Sequence, residues 1–281
     1  MRKLYIDNIR WITVVLVVLY HVIYMFNGIE TFGVIGPFSD VQYQDAFQYI
    51  VYPWFMLLLF AVSGMSARYE LVRRSEKEFI KKRTGKLLVP STLGLLVFWW
   101  ILGYYNLLIG GGLEQMAAVP KPVLFIIMAV SGIGPLWYIQ MLWIFSVLLI
   151  WVRRVEKDRL WKLGEKANVP FLVLFAIVIW GAAQILNTPM IVVYRFGIYG
   201  VGFFVGYFIF SQDEVMERLE KCWLPLTVCA VILAVVFTVM YWGRPYAEHS
   251  VLDTPLCNLF AWIATIAILA FMKKWGNISN T

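Results

Sequence analysis

The sequence predicts an all-α polytopic transmembrane helix bundle, and three observations predict it. Of 281 residues, 61% are hydrophobic and 15% charged, whereas soluble domains run near half apolar and a quarter charged. The apolar residues gather into eight runs of roughly the 20 residues that a helix needs to cross hydrocarbon. Of the 24 Lys and Arg, 21 fall in alternate connections between those runs. A water-soluble globule, a disordered chain and a disulfide scaffold are excluded together, because each needs more polar residues or more cysteines than this chain has.

The runs fall at 9–27, 47–65, 87–109, 123–152, 169–187, 191–210, 223–242 and 255–272. The first is too long for a cleaved signal peptide, and no small-residue cleavage site follows it. The fourth is interrupted at Ser131-Gly132-Ile133-Gly134-Pro135. Proline breaks the helical hydrogen-bond ladder, so a short re-entrant piece is expected there, followed by a span from near Leu136. Residues 1–10 carry three bases, 66–86 eight, 153–166 six, 211–222 two and the C-terminal end two. Only Lys121, Arg195 and Arg244 lie elsewhere. By the positive-inside rule both termini are expected in the cytoplasm and the chain in the inner or plasma membrane. The sequon Asn277-Ile278-Ser279 then faces the cytoplasm, where it is not glycosylated. Cys222, Cys229 and Cys257 match no metal or redox spacing and read as apolar packing residues. Gly110-Gly111-Gly112 lacks a following Lys-Ser/Thr and reads as a turn. With no fixed-period repeat and no linker, residues 1–281 are expected to form one membrane domain.

Ionisable groups inside spans are costly and mark candidate sites. The first span supplies Asp7, Arg10 and His21, with Tyr24 one turn further. Arg10 and His21 are eleven residues apart, about three turns, so they share a helix face at a separation of roughly 16 Å. Asp7 precedes Arg10 by three residues and is placed to pair with it. His21 falls about 18 Å into a layer of about 30 Å. Two readings stand for it: a neutral imidazole bonded to a neighbouring helix, or a general base. Arg10 is likewise either a site residue or a snorkelling topology residue.

The segment Tyr5 to His21 resembles the opening of the membrane acyltransferase-3 family, whose first helix carries an Arg, ten intervening residues and a His. LLLFAVSGM (Leu57 to Met65) is similar to the family's aromatic-rich stretch closing in Ser-Gly. FIKKRTGKLLVP (Phe79 to Pro90) is similar to its basic stretch ending in Leu-Leu-Pro, and PLWYI (Pro135 to Ile139) to its His-Leu-Trp-Phe motif. The four landmarks stand in family order over the first half of the chain, nearest to the branch that succinylates periplasmic glucans. Two positions depart from the pattern. Lys86 replaces an arginine, which turns a bidentate phosphate contact into a point charge. Pro135 replaces a histidine. The resemblance also implies about ten helices, so the chain is expected to lack its last ones.

The resemblance implies transfer of an acetyl or succinyl group from acyl-CoA to a hydroxyl of an envelope glycan or other hydroxylated acceptor. It assigns catalysis to His21 and Arg10, which Asp7 joins through its three-residue spacing to Arg10, with acyl-CoA as co-substrate and no bound cofactor or metal. It assigns donor binding to Arg83, Lys86 and Lys82, although most bases of the 66–86 loop read more simply as topological anchors at the lipid headgroups. Tyr24, Trp137 and Tyr138 are candidates for the acceptor path, with an aromatic belt as the plainer reading. Gln140, Gln184, Asn106 and Asn258 read as interhelical hydrogen-bonding residues. His249, beside Glu248, reads as a solvated loop residue or a sugar contact. The bilayer is a partner and nucleic acid is not. The competing function is a permease or flippase for a small molecule or lipid-linked sugar, with Arg10 and His21 lining its path. Paired broken helices in related halves would support it.

Overall fold

The computed structural model describes residues 3–30, 34–40, 42–188 and 193–278. The start of the expected 191–210 span and Ser279 of the sequon lie outside them. The helices are α1 Leu4–Tyr24, α2 Asp45–Leu71, α3 Glu76–Ile109, α4 Lys121–Ser131, α5 Leu136–Glu156, α6 Val169–Ala183, α7 Phe196–Phe210, α8 Asp213–Lys221, α9 Trp223–Tyr241 and α10 Pro255–Trp275. No strand is formed among the described residues. Six helices (α1, α2, α3, α5, α9 and α10) are long and apolar enough to cross a membrane. The runs at 169–187 and 191–210 instead give the shorter helices α6 and α7. About fifteen residues rise only about 22 Å, short of the hydrocarbon thickness. The fourth run divides as its glycines and proline require: α4 ends at Ser131, Gly134 takes a positive φ of 45°, and α5 starts at Leu136.

Local chemistry sets the helix ends. Ser75 and Glu78 form a capping box that opens α3. The Asn168 and Thr254 side chains accept from Phe171 and Cys257 N–H groups at the starts of α6 and α10. Proline occupies the first turn of α4, α6 and α10, where its missing N–H costs nothing. Wider π-type turns occur at Thr84–Leu88, Leu95–Trp99 and Gly206–Phe210.

The chain forms two compact units. The first comprises residues up to Glu30, Gly36–Val72 and Arg153 onward, and thus holds α1, α2 and α6 to α10. Its core is α2 and α10, whose apolar windows are 72% and 67% buried, against 11% for α9. Val228, Val231, Ile232, Val235 and Val239 of α9 stay exposed, an apolar face that suits hydrocarbon. Helices α2 and α7 approach backbone to backbone. A methyl group on Gly64 would stand 1.9 Å from the Phe203 carbonyl oxygen, and one on Gly206 would stand 1.9 Å from that of Ala61. Small residues at a membrane helix crossing permit this approach. The Trp262 indole donates to the Leu172 carbonyl at 2.6 Å, tying α10 to α6. Lys3, at the start of α1, binds Asp213 and the Tyr69 hydroxyl. Burial lowers the pKa of this ammonium, but those two partners outweigh it and the net shift is upward.

The second unit, Thr31–Ile35 with Arg73–Val152, holds α3, α4 and most of α5. Asn106 of α3 donates to the Ser131 carbonyl of α4 at 3.1 Å, and the Trp143 indole of α5 donates to Thr84 of α3 at 3.0 Å. These are the interhelical bonds that a polar side chain in an apolar helix must find.

Candidate active site

Helix α1 buries a stripe of Tyr5, Ile6, Ile9, Thr13 and Tyr20 against the first unit. Arg10 and His21 sit on the flank of that stripe. At 3.6 residues per turn they are rotated only about 20° from each other around the axis. The Arg10 guanidinium donates to the Ser66 hydroxyl of α2, which in turn donates to the Val62 carbonyl at 2.9 Å. Asp7 lies 3.8 Å from the same guanidinium, one turn back. Arg10 is therefore held by two groups while its side chain stays 40% accessible.

His21 is exposed, and its Nδ1 lies 2.7 Å from the Val17 carbonyl oxygen one turn earlier. A carbonyl only accepts, so Nδ1 carries the proton. In its neutral form such a ring presents Nε2 as the acceptor nitrogen. That is the protonation pattern a general base requires. The His21 ring also meets Tyr20 edge-on, with centroids 5.4 Å apart.

Tyr20 begins a buried chain of hydroxyls. Its OH lies 3.3 Å from that of Tyr246, which donates to Gln48 Oε1 at 2.5 Å. Because Tyr246 donates to Gln48, Tyr20 is the donor to Tyr246. Burial drives the Tyr246 phenol well above its usual pKa, although the bond from Tyr20 opposes the shift, and so it stays protonated. Tyr24, half-buried, packs against the Tyr20 ring at 5.9 Å. Nearby, Glu30 accepts the Ala247 N–H at 3.0 Å. Burial raises its carboxyl pKa, that N–H bond lowers it in part, and Glu248 raises it further.

The second unit carries the donor candidates. Lys82, Arg83 and Lys86 lie three and four residues apart across the end of the α3 first segment and the π-type turn Thr84–Leu88, hence on one side of the helix. The Arg83 guanidinium stands over the Phe79 ring at 5.0 Å, and Lys86 is exposed. In the first turn of α5, Trp137 is buried and Tyr138 half-buried, their rings 6.3 Å apart and edge-on.

Sequence reasoning missed Ser66, Tyr20, Tyr246 and Gln48. Each is a common packing residue until its partner is known. It did single out Arg195, as one of three bases off the basic side, without giving it a role. Arg195 is the one Lys or Arg buried among the described residues, at 4% accessibility. Of the expected interhelical bonding residues, Gln184 reaches the Asp253 carbonyl at 2.9 Å. Asn258 reaches those of Leu252 and Thr254, both at 2.8 Å.

No curated protein and no solved structure matches the chain. A family model described as an acyltransferase domain, that of the acyltransferase-3 family, matches residues 3–279. It spans both units and every candidate residue above. Apolar helices of membrane-crossing length, the Arg10 and His21 pair on α1, and a family match over nearly the whole length lead to one conclusion: the chain belongs to the membrane acyltransferase-3 family and is a multi-pass membrane enzyme that transfers acyl groups other than aminoacyl groups.

Proposed function

We propose that this acyltransferase moves an acetyl or succinyl group from acyl-CoA to a hydroxyl of an envelope carbohydrate, with His21 as the base. The observation that carries the reading is the Val17 carbonyl holding the His21 Nδ1 proton, which leaves Nε2 as the acceptor on the helix face shared with Arg10. Nε2 takes the proton of the acceptor hydroxyl while its oxygen bonds to the thioester carbonyl carbon. The carbon–sulfur bond then breaks, and the thiolate leaves as the CoA thiol after receiving that proton from the imidazolium. Arg10, held by Ser66 and Asp7 about three turns from His21, supplies positive charge that holds the donor on its way to that ring. Lys82, Arg83 and Lys86 bind the phosphates of the donor from the cytoplasm, the side to which the distribution of basic residues assigns them. Tyr24 on the first unit, and Trp137 and Tyr138 on the second, are the aromatic candidates for the acceptor path. The reading places the enzyme in the inner or plasma membrane with both termini cytoplasmic, as a single domain.

Purified protein in nanodiscs, given labelled acetyl-CoA or succinyl-CoA and candidate glycans, tests it. Label should pass to the glycan in the wild type and fall by about 10²- to 10⁴-fold in His21→Ala, the usual worth of a general base. Full transfer by a correctly inserted His21→Ala protein would remove the mechanism. Glycan movement across vesicles without label transfer would favour the permease.

A further inference from the structure

The chain has two histidines, and the second has no part in the chemistry above. His249 opens the short helix His249–Leu252 in the first unit. Its Nδ1 lies 3.1 Å from Asp253 Oδ2, one turn on, and its side chain is 36% accessible. The other Asp253 oxygen faces the Arg195 guanidinium at 3.4 Å. Arg195 also donates to the Leu252 carbonyl at 3.1 Å. The Asp253 carbonyl in turn receives the Trp180 indole at 3.1 Å and the Gln184 amide at 2.9 Å. Three side chains, Arg195, Trp180 and Gln184, thus pin the backbone that carries one carboxylate, and that carboxylate holds one imidazole.

Such an arrangement has a chemical consequence. An ionised carboxylate only accepts, so Nδ1 of neutral His249 is the protonated nitrogen and Nε2 offers a lone pair, the same tautomer as in His21. A guanidinium buried this deeply is costly unless it is paired and hydrogen-bonded, as Arg195 is by Asp253 and the Leu252 carbonyl. Its Nε, and the neighbouring Asn258 Oδ1, are buried without a hydrogen-bond partner among the described residues. Such unmet polar atoms are rare inside proteins and call for an explanation.

The place fits an acceptor. Tyr246, three residues before His249, bonds to Tyr20, the neighbour of His21. Both histidines therefore stand at the same end of the first unit, the end away from Lys3 and Asp213. Glu30 accepts the Ala247 N–H there as well, which adds a carboxyl group to the acceptor nitrogens of the two rings at that end. Carbohydrate is the ligand class such a surface suits.

We propose that His249 is an acceptor-binding residue whose Nε2 accepts a hydrogen bond from a carbohydrate hydroxyl, with Asp253 and Arg195 as the positioning residues that fix its tautomer. The choice of ligand rests on the acyl-transfer reading. The geometry does not.

Nitrogen-15 histidine NMR of the full chain in nanodiscs tests the proposal without needing turnover. Of the two imidazoles, the one lost in His249→Ala should show a protonated Nδ1 and a bare Nε2. Its Nε2 resonance should move on addition of a β-linked glucose trisaccharide, with glycerol as a minimal hydroxyl compound. Asp253→Asn should abolish the tautomer preference, a change that a purely structural role for Asp253 does not produce. With labelled acetyl-CoA as donor, His249→Ala should raise the half-saturating trisaccharide concentration about tenfold. It should leave the donor requirement unchanged, and His249→Gln, which keeps an acceptor oxygen, should recover part of the loss. A His249 ring protonated at Nε2, or an Nε2 signal unmoved by saturating trisaccharide and glycerol, overturns the proposal. A wild type that shows these shifts yet transfers no acyl group overturns the acyl-transfer reading and leaves the binding site standing.

Discussion

His21 and Arg10 illustrate what a single side chain reveals before and after its neighbours are known. Their spacing was legible, because eleven residues make nearly whole turns of any α-helix. The acceptor nitrogen of His21 was not, because it follows from the Val17 carbonyl standing 2.7 Å away. Ser66 was invisible for a similar reason. A serine in a membrane helix is common, and it acquires meaning only when Arg10 reaches it. Ser66→Ala should therefore leave insertion intact and lower kcat/KM for acyl transfer about 10- to 100-fold, the order of one hydrogen bond to a charged group. Glu30 yields a pH test. Its folded pKa is raised by burial, so the folded state holds the proton more tightly than the unfolded chain. The stability this contributes is full below the ordinary carboxylate range and is lost as pH rises through the raised value. Glu30→Gln keeps an oxygen for the Ala247 N–H and removes the buried charge. Its thermal midpoint should exceed that of the wild type at pH 7 and lose the advantage near pH 4; an equal difference at both values would refute the burial argument.

Helices α2 and α7 meet where glycines permit it, and that contact is the most exacting in the first unit. Gly64 and Gly206 each oppose a backbone carbonyl oxygen on the other helix, so even one methyl group forces the helices apart. Gly206→Val should cost about 1–3 kcal/mol or prevent folding, as overpacking of a tight contact does. Detergent-solubilised yield and thermal melting would show the difference from Gly181→Val, where the space is open. The break between α4 and α5 was readable from Gly134-Pro135, since a proline and a positive φ both act locally. The shortness of α6 and α7 was not. Hydropathy runs measure apolar length, whereas a helix ends where capping and packing end it. On α3, Arg83 and Lys86 lie within one turn of each other, so Arg83→Ala should raise the half-saturating acyl-CoA concentration about tenfold while leaving the acceptor requirement unchanged. An unaltered donor requirement would move the donor site elsewhere.

Across the whole chain, 21 of 24 bases lie in alternate connections, and this asymmetry predicts an orientation. In a background lacking Cys222, Cys229 and Cys257, a cysteine replacing Arg159 should react with an impermeant maleimide only in opened or inverted membranes. One replacing Glu248 should react in intact cells. The reverse pattern would invert the proposed donor and acceptor sides. Composition and apolar run length determined by themselves that the chain is helical and resides in membrane, since a bilayer leaves the backbone few ways to satisfy its hydrogen bonds. Helical periodicity likewise determined that Arg10 and His21 share a face, and charge placement determined which connections resemble one another. Tertiary structure alone decided which polar groups have partners: Ser66 on Arg10, Tyr246 between Tyr20 and Gln48, and Asp253 between His249 and Arg195. These pairs are 56, 226, 198, 58 and 4 residues apart. Local rules act over about one turn, and of these five pairs only His249 and Asp253 fall within their reach.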